Sequence, residues 1–217
     1  TAPQTFSNSA AITIPNGAPA TTNGPASPYP SSIAVAGLTG NKIVKVRFNG
    51  LTHTSPNNLD VLLVGPGGQK MEILSDQGGA NSISNVNLTL ADAPLSGVGA
   101  TIVTGEFKPT ADAGQDAFVA PAPGPLYLLP APGGSATLAS AYGTDGAAMN
   151  GTWNLFIVDD TATNVGAVSG GWSLVFETAD FNCSLGGPSP TPTFTPTATA
   201  TNTPAGATPT ATGTPPV

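Results

Sequence analysis

Hydrophobic and polar positions alternate with period two along most of the chain. Between Lys42 and Leu51 (KIVKVRFNGL), Val44, Val46 and Phe48 fall on one side and Lys45, Arg47 and Asn49 on the other, which predicts a half-buried strand. Val86, Leu88 and Leu90 alternate in the same way, as do Trp153, Leu155 and Ile157, then Trp172, Leu174 and Phe176. The run Leu59 to Val64 (LDVLLV) is nearly continuous in apolar residues and closes on Gly65-Pro66-Gly67-Gly68. It predicts a strand covered on both faces, with Lys70 to Leu74 as its hairpin partner. No long segment keeps a 3.6-residue period, and glycine and proline punctuate the alternation throughout. The pattern predicts an all-β fold, an antiparallel jelly-roll sandwich. The irregular stretch Gly105 to Gly124 is too long for a tight turn and is expected to wrap one end of the sandwich.

Composition divides the chain in two. Its 217 residues carry 5 Lys and Arg against 12 Asp and Glu, a net charge of -7, with only 8% charged residues, 27 Gly and 23 Pro. So few and scattered cations give no electrostatic footprint for nucleic acid or anionic lipid. No apolar run approaches a membrane span and no leader-like start precedes the first strand, so a mature, soluble, exported chain is expected. Every charged side chain lies between Lys42 and Asp180, and the uncharged stretch 188–217 holds eight Pro and eleven Thr. The expected organisation is a β-sandwich over 1–187 and a Thr/Pro-rich extended tail over 188–217.

Two blocks of sequence carry a resemblance. The run His53-Thr54-Ser55-Pro56-Asn57-Asn58-Leu59-Asp60-Val61-Leu62-Leu63-Val64-Gly65-Pro66-Gly67-Gly68 resembles the HT…DLxIxL…P signature of the P domain, the β-sandwich that follows the catalytic domain of proprotein convertases and many bacterial subtilisin-like proteases. Asn150-Gly151-Thr152-Trp153-Asn154-Leu155, Asp159-Asp160 and Gly170-Gly171-Trp172-Ser173-Leu174 are similar to its closing NGTW…GW motif. Asn58 departs from the pattern, standing where the family usually has Asp. The resemblance covers about residues 5–180. It implies a jelly roll that accompanies an enzyme without being one, and no Gly-x-Ser-x-Gly elbow occurs in the chain.

The chemistry-bearing residues favour structure over catalysis. His53 is the sole histidine and sits inside the first block, where a structural hydrogen bond asks for less than a catalytic base with its nucleophile and orienter. Asp159 and Asp160 are adjacent, so on a strand they point to opposite faces and do not make a two-carboxylate hydrolase. No enzyme activity is expected. Asp60, Asp92, Asp112, Asp116, Asp159 and Asp160 lie at expected strand ends or in loops and suit calcium, a hard cation that takes oxygen ligands, with Asp60, Asp92, Asp159 and Asp160 as the candidate ligands. The competing reading makes each a solvated turn or cap residue. Cys183, the only cysteine, has no partner in the chain and is either a sheltered thiol or an intersubunit bridge.

In the tail, threonine fills every odd position from Thr191 through Thr193, Thr195, Thr197, Thr199 and Thr201 to Thr203, and the alternation resumes at Thr208, Thr210, Thr212 and Thr214. These are candidate O-glycan acceptors; Asn87, Asn150 and Asn182 head sequons for N-glycans. One reading makes the tail a spacer. The other lets it pack on a neighbouring copy through Phe194, flanked by Pro192 and Pro196, because a charge-free Pro-rich segment buries too little to order itself. A tail-to-neighbour contact is heterologous and extends into a filament when it does not close. Three functions follow. The first is a non-catalytic subunit of a self-assembling extracellular or cell-surface filament of identical copies. The second is an accessory P-domain module of a larger secreted protease or surface protein. The third is a glycan-binding jelly roll using Tyr127, Tyr142 or a surface tryptophan.

Overall fold

The computed structural model describes residues 2–179; the tail, Cys183, Asn182 and every expected O-glycan threonine lie outside the described residues. The chain divides into two units, 1–180 and 181–217. The first runs β1 (Gln4–Asn8), β2 (Ile12–Ile14), β3 (Gly24–Pro25), β4 (Ser31–Val35), β5 (Lys42–His53), a 3-10 turn at Pro56–Asn58, β6 (Leu59–Val64) and β7 (Lys70–Ser75). It continues with β8 (Ile83–Leu90), β9 (Gly105–Phe107), β10 (Thr110–Ala111), a one-turn helix α1 (Leu138–Tyr142), a 3-10 turn at Ala147–Met149, β11 (Gly151–Asp159), β12 (Gly166–Val168) and β13 (Trp172–Thr178).

Two sheets form. The long β5 organises the first: β13 and β12 share one of its sides, followed outward by β1 and β2, while β8 and then β9 lie on the other. The second has the order β10-β7-β6-β11, with β3 and β4 sharing the far side of β11. Most pairs are antiparallel. The exceptions, β8 with β9 and β10 with β7, are parallel, so both sheets are mixed where the sequence pattern predicts an antiparallel fold.

The two-residue period places the core. Val44, Val46 and Phe48 of β5 and Trp172, Leu174 and Phe176 of β13 meet Leu59, Val61 and Leu63 of β6 and Trp153, Leu155 and Ile157 of β11 in one apolar cluster. All six residues of β6 are buried, as its apolar run predicts. The second cover comes from an unexpected place. After β9 and β10 the chain from 112 to 137 crosses the outer face of the second sheet, where Phe118 and Tyr127 pack on Leu62, Val64, Phe156 and Val158. The stretch expected to wrap one end of the sandwich thus begins as two short strands and ends as a face cover. Turn residues in the sequence reveal that a segment is irregular but not which apolar surface it lies on. Helix α1 has too few residues to display a helical period; a capping box between Thr137 and Ser140 holds it.

Candidate functional site

Four expected calcium ligands have separate surroundings. Asp159 ends β11 in one sheet and His53 ends β5 in the other, and the two meet across the interior with Nε2 and Oδ2 3.1 Å apart, both side chains fully buried. The Ser55 amide donates to His53 Nδ1 at 3.3 Å, which places the ring proton on Nε2 and makes that nitrogen the donor to Asp159. Burial holds the imidazole below its usual pKa, so the ring is neutral at pH 7. Asp159 Oδ1 also accepts from the Thr161 amide at 3.1 Å. Burial, with Asp160 adding repulsion, lifts Asp159 to about 6. Gly166 of β12 lies against the imidazole, and a Cβ there would meet His53 Cδ2 and the Thr52 carbonyl. Both ring nitrogens of the only histidine are therefore engaged within the fold.

Asp92 stands far from that pair in role. Its two oxygens accept from the Leu138 and Ala139 amides at 2.8 Å each and so fix the first turn of α1. Asp160 is exposed and accepts from the Thr161 hydroxyl at 3.0 Å. Asp60 is the exception: it is 1% exposed, and its Oδ1 has no hydrogen-bond partner among the described residues. The structure does not gather the four into one set.

It gathers a different set around Asp60. On β6, Asp60 alternates with Leu59 and Val61 and so shares the outer face with Leu62 and Val64; on β7, Glu72 stands opposite Leu62. Asp76 follows β7 with φ at 58°, and Asp116 comes from the covering loop. One oxygen each of Asp60, Asp76 and Asp116 lies within 4.8 Å of the others. Asp116 Oδ2 accepts from the Ser75 hydroxyl at 2.7 Å, and Gln77 Nε2 donates to Asp112 Oδ1 at 2.9 Å, tying the loop to the end of β7. Glu72 is fully buried with both carboxylate oxygens unpartnered among the described residues. Burial first, then the neighbouring Asp116, pushes Asp60 and Glu72 each up to about 9. Glu72 escapes a reading of strand ends and loops because it sits mid-strand, and Asp76, at the end of β7, is not among the expected ligands. The one signal for Glu72 is a charge within a hairpin whose partner is apolar on both faces.

The aromatic candidates for sugar stacking are interior. Trp153 and Trp172 are fully buried and donate to the Met149 carbonyl and the Ser31 hydroxyl at 2.9 Å each. Tyr142 donates to the Leu63 carbonyl at 2.8 Å and Tyr127 to the Pro123 carbonyl at 3.2 Å, both rings buried. Asn87 is exposed on β8. Asn150 Nδ2 shares its two hydrogens among the Leu38, Gly146 and Ala147 carbonyls, so a glycan replacing one of them would disrupt this set. Among the described residues no helix is long and apolar enough to cross a membrane.

No family model, curated protein or solved structure matches the chain.

Proposed function

We propose that this chain is a non-catalytic structural subunit that assembles with copies of itself outside the cell, one copy's Thr/Pro tail adding to the sheet of the next. The observation that carries the reading is the edge formed by β1. Among the described residues β1 pairs with β13 alone, and its five residues, Gln4–Asn8, include no charge, no proline and no bulge. Natural edge strands are usually blunted by those devices, since an open row of N–H and C=O groups invites another chain. Among the described residues the hydrogen bonds from β1 to β4 come from its last residue, Asn8, whose Nδ2 donates to the Ser32 carbonyl at 3.0 Å and the Ser31 hydroxyl at 3.3 Å.

The tail has the complementary pattern. Pro188, Pro190, Pro192, Pro196 and Pro204 all stand at even positions, while the odd positions from Ser189 to Thr203 are Ser or Thr and keep their N–H groups. In an extended strand successive N–H groups point to opposite edges, so one edge of such a strand retains every donor and the other loses the proline positions. That one-sided strand suits addition to an edge without inviting a further layer, with Phe194 as the apolar anchor. The internal engagement of His53 and Asp159 favours a structural over a catalytic role. The two blocks that resemble the P domain support a jelly-roll reading, and they fall on β6 and β11, which pair along six residues. The edge itself is tested by Thr5→Lys, at an exposed β1 position. Sedimentation of the full chain is expected to shift from polymer to monomer in this variant. Polymers that persist unchanged overturn the edge, and a wild-type chain that sediments as a monomer makes the tail a linker.

A further inference from the structure

We infer that Asp60, Asp76 and Asp116, with the buried Glu72 beside them, bind one calcium ion that fastens the loop 112–128 to the second sheet. An acidic cluster alone would not carry this; Glu72 does. It belongs to a different strand from Asp60 and is fully buried, and among the described residues neither of its oxygens makes a well-formed hydrogen bond, the Asp116 amide being the donor that approaches it. Its carboxylate lies close enough to Asp116 and Asp60 for each to raise its pKa. A buried carboxylate without a partner is strongly disfavoured, and buried charges are ordinarily paired or hold metals.

Among the described residues no salt bridge joins a lysine or arginine to these carboxylates. The carboxylate salt bridges formed by lysine join Lys45 to Glu106 and Glu177 on the first sheet, and Lys70 Nζ donates to the Gly124 and Pro125 carbonyls. Asp112 and Asp160 approach from the neighbouring loops and add to the negative field. The donors are all oxygens, with no sulfur or imidazole, which selects a hard cation. Four carboxylates are more than the one or two magnesium commonly takes, whereas calcium accepts six to eight oxygens at ~2.3–2.6 Å in flexible geometry.

The placement gives the ion a task. Asp60 and Glu72 belong to β6 and β7, Asp76 follows β7, and Asp116 belongs to the loop two residues before Phe118. An ion shared by these groups joins sheet to cover at the margin of the apolar patch that Phe118 and Tyr127 close. Assembly through the tail has no part in the argument, so either idea stands or falls alone.

The full chain, stripped with EGTA and dialysed, is titrated with CaCl2 and followed by calorimetry and thermal melting, with trypsin-independent cleavage of the loop by thermolysin as a third readout. One site is expected, with Kd in the ~10⁻⁴–10⁻³ M range of extracellular calcium modules or tighter. At a hundredfold excess over Kd the linkage is ~2.7 kcal/mol, which raises Tm by about 5–10 °C in a domain of this size. Calcium is also expected to slow loop cleavage. Glu72→Gln and Asp116→Asn are expected to fold and to lose the calcium response. A Tm unmoved by ~10 mM calcium, well above that Kd range, overturns the site. So does an equal calcium shift in both variants, and an equal response to MgCl2 overturns the choice of ion.

Discussion

Replacing His53 by Leu leaves Asp159 buried against its former partner. In the wild type the Asp159 Oδ2 accepts from His53 Nε2 at 3.1 Å and Oδ1 from the Thr161 amide, with neither side chain exposed. His53→Leu removes one of these donors and leaves an uncompensated carboxylate between the sheets, a change that costs about 3–5 kcal/mol when one partner of a buried pair is removed. The carboxyl already titrates at about 6, so protonation offsets part of the loss and the lower end applies near neutral pH. Asp159→Asn keeps an oxygen, but that oxygen can serve His53 or Thr161 and not both, so about 1 kcal/mol is expected. His53→Leu with Asp159→Leu turns the pair apolar and is expected to recover about 1–3 kcal/mol relative to the summed single changes. Urea unfolding of the four proteins closes the cycle. At about 2–4 °C per kcal/mol for a domain of this size, the order of melting is also resolved by calorimetry. His53→Leu within about 0.5 kcal/mol of wild type, inside the range of ordinary surface substitutions, would refute the cross-sheet role of the pair.

Other consequences are open to direct measurement. Phe118→Ala empties the loop's anchor over Leu62 and Phe156 and is expected to destabilise by about 3 kcal/mol, with faster protease cleavage of 112–128 than of the rest of the domain. Asp92→Ala removes both acceptors of the first turn of α1 and is expected to cost about 1–2 kcal/mol, read by urea denaturation. In ion-free protein Asp60 and Glu72 hold protons up to about pH 9 that the unfolded chain releases near pH 4. The folded state therefore binds more protons across that interval, and its stability is expected to fall as pH rises from about 4 to about 9. Glu72→Gln is expected to flatten this slope; a denaturation midpoint that climbs across the same window would contradict the assignment.

How far the sequence reached depended on whether a residue's role is local. The alternations of β5, β11 and β13 predict their inward faces because period two is a property of the strand itself, and the unbroken run of β6 predicts cover on both sides. What covers β6 was not legible, since the cluster that holds both Phe118 and Leu62 joins positions more than fifty apart through an irregular loop. The parallel pairing of β9 with β8 and of β10 with β7 was hidden as well, because strands of two or three residues have almost no period to display. Asp60 reads in the sequence as one of several loop and strand-end carboxylates, although it lies inside β6. Asp92 and Asp159 looked equivalent to it in sequence, yet one meets helix amides and the other the histidine of the opposite sheet. Only the fold separates those three carboxylates.

Assembly through the tail is tested by negative-stain electron microscopy of two purified chains. The full chain 1–217 is expected to form filaments, and the chain ending at Gly187 to remain a folded monomer whose melting keeps the cooperative transition of the sandwich. Filaments formed equally by the shortened chain, or a full chain that stays monomeric at the concentrations where it is stable, would contradict the account.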